Sequence, residues 1–132
     1  MHGRISRSQY FIGKIILILF LLVNSILAYG LFTMMQGPAN AVVVFLLSTV
    51  VFGLIVAFFV SNFIITVKRF HDFNQSGWVT LFCIIFIYVM TNIIPPVGAI
   101  LEIILSIFLI VVRGNYGDNM YGSDPILKGL SY

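Results

Sequence analysis

Residues 15–67 run without a single Lys, Arg, Asp or Glu, and residues 73–112 carry only one, Glu102. A helix at the surface of a water-soluble protein needs a charged or polar face, and stretches of this length provide none. The seven basic residues fall into three short groups: Arg4, Arg7 and Lys14; Lys68 and Arg69; Arg113 and Lys128. This pattern predicts an all-α integral membrane protein, a four-helix bundle whose loops are sorted by charge. Charged residues make up 8% of the chain, against about 25% in a typical soluble domain. The net charge of +3 sits beside the apolar runs and points to anionic lipid headgroups. Nucleic acid is not an expected partner, because no basic stripe interleaves with aromatics. The single cysteine, Cys83, excludes an intrachain disulfide.

A membrane helix needs about 20 apolar residues to cross a hydrocarbon core of about 30 Å. The expected spans are 11–35, 41–67, 78–94 and 97–112, in one transmembrane domain (1–132) with a short tail at 113–132. Gln36-Gly37-Pro38-Ala39-Asn40 and Asn74-Gln75-Ser76-Gly77 read as turns, and Pro95-Pro96 as a break. The second helix is expected to continue to Asp72 or Phe73. The last two spans are short, so a re-entrant hairpin is the alternative to two crossings. Both versions leave the ends of that segment on one side. The first apolar run is too long for a cleavable signal core and lacks a small-x-small site, so it reads as an uncleaved span. The loops at 36–40 and 95–96 carry no Lys or Arg, which places both termini and the 68–77 loop in the cytoplasm by the positive-inside rule.

The cytoplasmic segments contain local signals. Ser6-Arg7-Ser8-Gln9 fits a capping box, flanked by Ile5 and Tyr10 as a hydrophobic staple, and predicts a helix starting at Arg7. Arg4 and Arg7 then stand at the positive end of a helix dipole, disfavoured by roughly a few tenths of a kcal/mol. Anionic lipid, or Asp72, Asp118 or Asp124, would offset that. Lys68-Arg69-Phe70-His71-Asp72 ends the second helix with cations at the favourable end. Asn74 suits a left-handed C-cap, Ser76 the cap of the third helix, and Trp78 the membrane interface. His71 beside Asp72 invites a general-base reading, but a hydrogen-bonded histidine in a juxtamembrane turn explains it as well. Oxygens from Asn115, Asp118, Asn119 and Asp124 lack the spacing of a calcium loop and are expected to bond back to Arg4, Arg7 or Arg69. A metal site from His2, His71 and Cys83 is weaker still, since Cys83 lies within a span.

Within the spans, Glu102 stands out, because an acidic group near a helix centre costs about 2.5–3.5 kcal/mol on insertion scales. Glu102, Ser106, Leu109 and Arg113 share one helical stripe. Ser48, Asn62, Thr66 and Arg69 share another. With Asn24, Ser25, Thr91 and Asn92 they suggest a polar seam: either a proton or ion path, or hydrogen bonds that hold helices together at about 0.6 kcal/mol each.

Three segments resemble a known family. Gly3-Arg4-Ile5-Ser6-Arg7-Ser8-Gln9-Tyr10 resembles a Gly-Arg-x-Ser-Arg-x-x-Tyr start. Arg69-Phe70-His71-Asp72 with Ser76-Gly77-Trp78 resembles an Arg-Leu-His-Asp…Ser-Gly-Trp loop. Asn119-Met120-Tyr121-Gly122-Ser123-Asp124-Pro125 resembles an Asn-x-Tyr-Gly-x-Asp-Pro tail. In this order they are similar to the bacterial inner-membrane family called domain of unknown function 805. The chain departs from it at Asn74-Gln75, where Gly and a basic residue are frequent, and at Phe11, where Trp is frequent. The resemblance implies a small four-span inner-membrane protein and brings no established activity.

The expected function is a non-enzymatic membrane component. It would bind a partner protein or anionic lipid through a cytoplasmic cap of Arg4, Arg7, Arg69, His71, Asp72, Asn119, Tyr121 and Asp124, within a homo-oligomer or larger membrane complex. One alternative is an oligomeric transporter or channel subunit using Glu102, with Asn62 and Ser106 as further intramembrane polar residues. The other is a membrane-bound enzyme using His71 and Asp72. No catalytic set, metal site or cofactor is read from the chain.

Overall fold

The computed structural model describes residues 3–38 and 40–126. His2 and Lys128 lie outside the described residues. Four helices follow one another: α1 (Arg7–Met35), α2 (Ala41–Asp72), α3 (Gly77–Ile93) and α4 (Pro95–Val111). Among the described residues there is no strand, only an isolated bridge between Asn119 and Gly122 in the tail.

The helix boundaries follow from local chemistry. Ser6 Oγ accepts the Gln9 amide N–H at 3.3 Å, and Gln9 Oε1 accepts the Ser6 amide N–H at 2.9 Å. This closed capping box starts α1 at Arg7, as expected. Asn40 caps α2 in a way the sequence reading did not single out: its Oδ1 accepts the Val42 N–H at 2.9 Å. α2 ends at Asp72 with Arg69 and His71 in its last turn, where positive charge complements the dipole. Asn74 then takes φ 58°, the left-handed conformation expected of it.

Two local expectations change. Ser76 occupies the cap position of α3, but its side chain makes no capping bond; its backbone oxygen accepts from Val79 at 3.1 Å instead. Pro95 and Pro96 do not stand outside the fourth helix but form its first turn. A proline costs little there, because the first amides of a helix have no intrahelical acceptor. Ile94 alone therefore joins α3 to α4.

α1 and α2, at 29 and 32 residues, are long and apolar enough to cross a membrane. α3 and α4 have 17 residues each, roughly 26 Å at 1.5 Å per residue, which is shorter than a typical hydrocarbon core.

The chain divides into two compact units. One is Gly13–Phe63, formed from most of α1, the 36–40 turn and most of α2. Large apolar side chains such as Ile26, Tyr29, Phe45 and Phe52 are exposed along it. Its polar side chains bond mostly to their own helix: Asn24 Nδ2 to the Phe20 carbonyl at 3.0 Å, Ser25 to Leu21 at 2.9 Å and Thr49 to Phe45 at 3.0 Å. The exception is Lys14, whose Nζ donates to Asn62 Oδ1 at 2.6 Å and ties α1 to α2.

The other unit comprises the residues up to Ile12 and those from Ile64 onward. α3 and α4 pack against each other within it. Gly98 permits this approach, since a Cβ there would overlap the Thr91 backbone and hydroxyl. Tyr10, Phe70 and Leu109 form the core of the unit, with Ile5, Ile65, Phe73 and Leu105 packed around them. Ile5 and Tyr10 thus meet as the staple predicts, and Tyr10 is only 1% exposed.

Candidate functional site

The last turn of α2 presents Arg69 and Asp72, three residues apart, to the same side. Arg69 is completely buried, and Asp72 is 4% exposed. The Arg69 guanidinium pairs with Asp72 Oδ2. Its Nε donates to the Leu109 carbonyl at 2.8 Å and its Nη2 to the Val112 carbonyl at 2.5 Å. These acceptors belong to the end of α4, where carbonyls lack intrahelical donors and the dipole favours a cation. Arg69 therefore caps α4 from another helix. Its guanidinium also lies 4.7 Å from the centre of the Phe73 ring.

Arg4 reaches the other oxygen of the same carboxylate. Its Nε and Nη2 lie 3.0 and 2.9 Å from Asp72 Oδ1. Its remaining donors bind the tail: Nη2 to the Asn115 carbonyl at 2.6 Å, and Nη1 to Gly117 at 2.5 Å and Gly122 at 3.3 Å. The Asn115 amide returns a bond to the Asp72 carbonyl at 2.8 Å, and the Gly3 amide donates to Tyr121 at 3.0 Å. One carboxylate thus serves two buried guanidinium groups, and carbonyl dipoles take up the surplus positive charge. A buried ion pair of this kind holds a structure only when its other hydrogen-bonding groups are satisfied, as they are here.

Gly114 makes the arrangement possible. A Cβ on it would fall on the Asp72 carboxylate and carbonyl. In the sequence Gly114 stands only as the second residue of the 113–132 tail. Its role as the point of closest approach between tail and α2 has no local signal, because it depends on a contact 42 positions away.

His71 faces the tail rather than Asp72. Its ring stacks on Tyr121 with centroids 3.9 Å apart, and its Nδ1 lies 3.3 Å from the Gly3 carbonyl oxygen. Asn119 Nδ2 donates to the His71 carbonyl at 2.8 Å. Both Asp72 oxygens are engaged by arginines. Asp124 is an anchor of the tail: its Oδ1 accepts from Ile126 at 2.9 Å and its Oδ2 from Gly117 at 3.1 Å. These amides, assisted by Arg4 and Arg113, hold its carboxyl below the usual aspartate range.

The tail does bond back to the arginines, but mainly through backbone carbonyls rather than the predicted side-chain oxygens. Asp72 offsets Arg4 but not Arg7. Arg7 is exposed and donates to the Val111 carbonyl at 3.1 Å. Arg113 is also exposed, its guanidinium 3.6 Å from the Tyr116 ring centre. Along the other predicted stripe, Glu102 is exposed, Ser106 is half-buried and Leu109 is buried in the core. Thr91 and Asn92 bond to the Ile87 and Tyr88 carbonyls of their own helix. Asn62 is engaged by Lys14.

These features define a small all-α protein with two helices fit to cross a membrane and a buried polar knot joining its N-terminal segment, the end of α2 and the tail. The chain belongs to the family described as "Protein of unknown function (DUF805)", whose model matches residues 1–123. The match includes every member of the knot from Arg4 to Gly122 and stops just before Asp124. No curated protein and no solved structure matches the chain.

Proposed function

We propose that this chain is a multi-spanning component of the bacterial inner membrane, a helical bundle with both termini in the cytoplasm. Its polar cap binds a partner protein or anionic lipid, and it performs no chemistry of its own. The observation that carries this reading is the coincidence of the knot with the basic clusters. Arg4 and Arg69, from two of the basic clusters that the positive-inside rule assigns to the cytoplasm, both converge on Asp72, and Arg4 also on the tail. The exposed apolar flanks of α1 and α2 suit lipid, and Trp78, 79% exposed in the first turn of α3, suits the headgroup level.

The test is co-purification. The full chain is isolated in mild detergent, and the proteins and lipids that accompany it are identified by mass spectrometry. A parallel preparation carries Asn119→Ala and Tyr121→Ala, which loosen the tail without removing a buried charge. A companion set that is identical in both preparations, or absent from both, overturns the reading.

The rival reading, an oligomeric transporter or channel subunit, rests on Glu102, an acidic side chain exposed on an otherwise uncharged helix. Flux into proteoliposomes that does not respond to Glu102→Gln removes its support.

A further inference from the structure

The knot sorts the arginines around it into two kinds. Arg4 and Arg69 are buried and committed to Asp72 and to carbonyls, so neither can meet a ligand. Arg7 and Arg113 remain exposed, and among the described residues neither has a carboxylate within ion-pair distance. Both line one cleft of about 220 Å³, open mouth included, where the start of α1 meets the end of α4. Ser6 contributes to its wall, and Arg69, Asp72 and Asp124 are its buried lining. Asp72 is shared by two buried guanidinium groups, and Asp124 is held by two backbone amides, with Arg4 and Arg113 acting on its charge. The three arginines and two aspartates leave the cleft net positive. The enclosed part of the cleft is only about 10 Å³, room for about one water molecule, so an anionic group is placed at the mouth and not inside.

We propose that Arg7 and Arg113 form a binding site for a single phosphate group, held between the two guanidiniums at the mouth of this cleft. Guanidinium forks match phosphate oxygens and give charge-assisted hydrogen bonds. Arg7 holds its position through the Val111 carbonyl, and Arg113 through the Tyr116 ring. The phosphate is that of an anionic phospholipid headgroup or a free phosphate ion. The inference rests on the reading of the cap as a binding surface; it keeps Arg7 of the expected cap residues and adds Arg113.

The test uses the full chain in phosphatidylcholine nanodiscs. Phosphatidylglycerol is added to the discs in one arm and millimolar inorganic phosphate to the buffer in the other. Bound lipid is read by native mass spectrometry and anion binding by the shift in thermal unfolding. Arg7→Gln and Arg113→Gln should each weaken binding about threefold to tenfold, as loss of one charge-assisted contact predicts. Lys68→Gln, which removes the same charge outside the cleft, should change it little. Arg7→Lys should retain part of the binding and shows that loss in Arg7→Gln is not misfolding. Response to phosphatidylglycerol alone identifies the headgroup as the source, and response to inorganic phosphate identifies the free ion. Equal losses in Lys68→Gln and the two arginine variants overturn the site in favour of diffuse attraction, as does the absence of any response in both arms. If lipids or proteins still co-purify through the tail while the arginine variants bind as wild type does, this site fails and the cap reading stands.

Discussion

The Gly13–Phe63 unit and the knot around Asp72 dispose of polar groups in opposite ways. In the first, Ser25, Thr49 and Asn24 turn back to carbonyls one turn earlier in their own helix and leave the apolar side chains facing outward. In the second, Arg4 reaches Asp72, Asn115, Gly117 and Gly122, all at least 68 positions away, and Arg4, Arg69 and Asp72 are themselves buried. Local closure lets a helix remain apolar without assistance from the rest of the chain. Long-range closure makes three distant segments depend on one another: apart from the Lys14–Asn62 bond, polar groups in the Gly13–Phe63 shaft close on their own helix, and those in the knot do not.

The sharpest way to break that comparison is Asp72→Ala. It leaves two buried guanidiniums without a counter-charge and should destabilise the detergent-solubilised protein by about 3–5 kcal/mol, read as a large drop in Tm. Asp72→Asn, which keeps the shape, should fall between this and wild type. If Asp72→Ala costs no more than a surface change, the knot is not a cooperative unit. Gly114→Ala comes next. The added methyl lands on Asp72 and should cost about 1–3 kcal/mol, with loss of protection at the Asn115 amide in hydrogen exchange.

Acidification probes the tail more gently. The carboxyl of Asp124 is depressed in the folded protein, so its contribution is present above the ordinary aspartate pKa of about 3.9 and is lost as pH falls through the lower folded value. Exchange at the Gly117 and Ile126 amides should therefore accelerate only below about pH 4, and Asp124→Asn should remove that pH step. The smallest effect belongs to the shaft: Ser25→Ala should change stability by less than about 0.5 kcal/mol. A larger loss would mean that Ser25 does more than close on its own helix.

Much of this architecture was legible in the residues. The start of α1 at Arg7, the end of α2 at Asp72 and the left-handed Asn74 each depend on neighbours within one turn, and each was anticipated. The prolines before 97 were misjudged by two residues, because a Pro-Pro pair marks both a break and a helix's first turn. Most of the expected cap residues meet around Asp72 and the tail, with Arg7 outside the knot, and this division is not visible in the residues. Arg4 and Arg7 look equivalent in the sequence; only one is buried.

The amino-acid sequence by itself determined four helices, the two longest fit to cross a membrane, and the grouping of charge at their ends. Hydropathy and capping act between residues close in the chain, so they can be read without a fold. Tertiary structure alone decided that Asp72 is shared by Arg4 and Arg69, that Gly114 must lack a side chain, and that Arg7 and Arg113 remain exposed. Those outcomes depend on which distant segments meet. A guanidinium's partner is set by what lies within about 3 Å of it once the chain has folded.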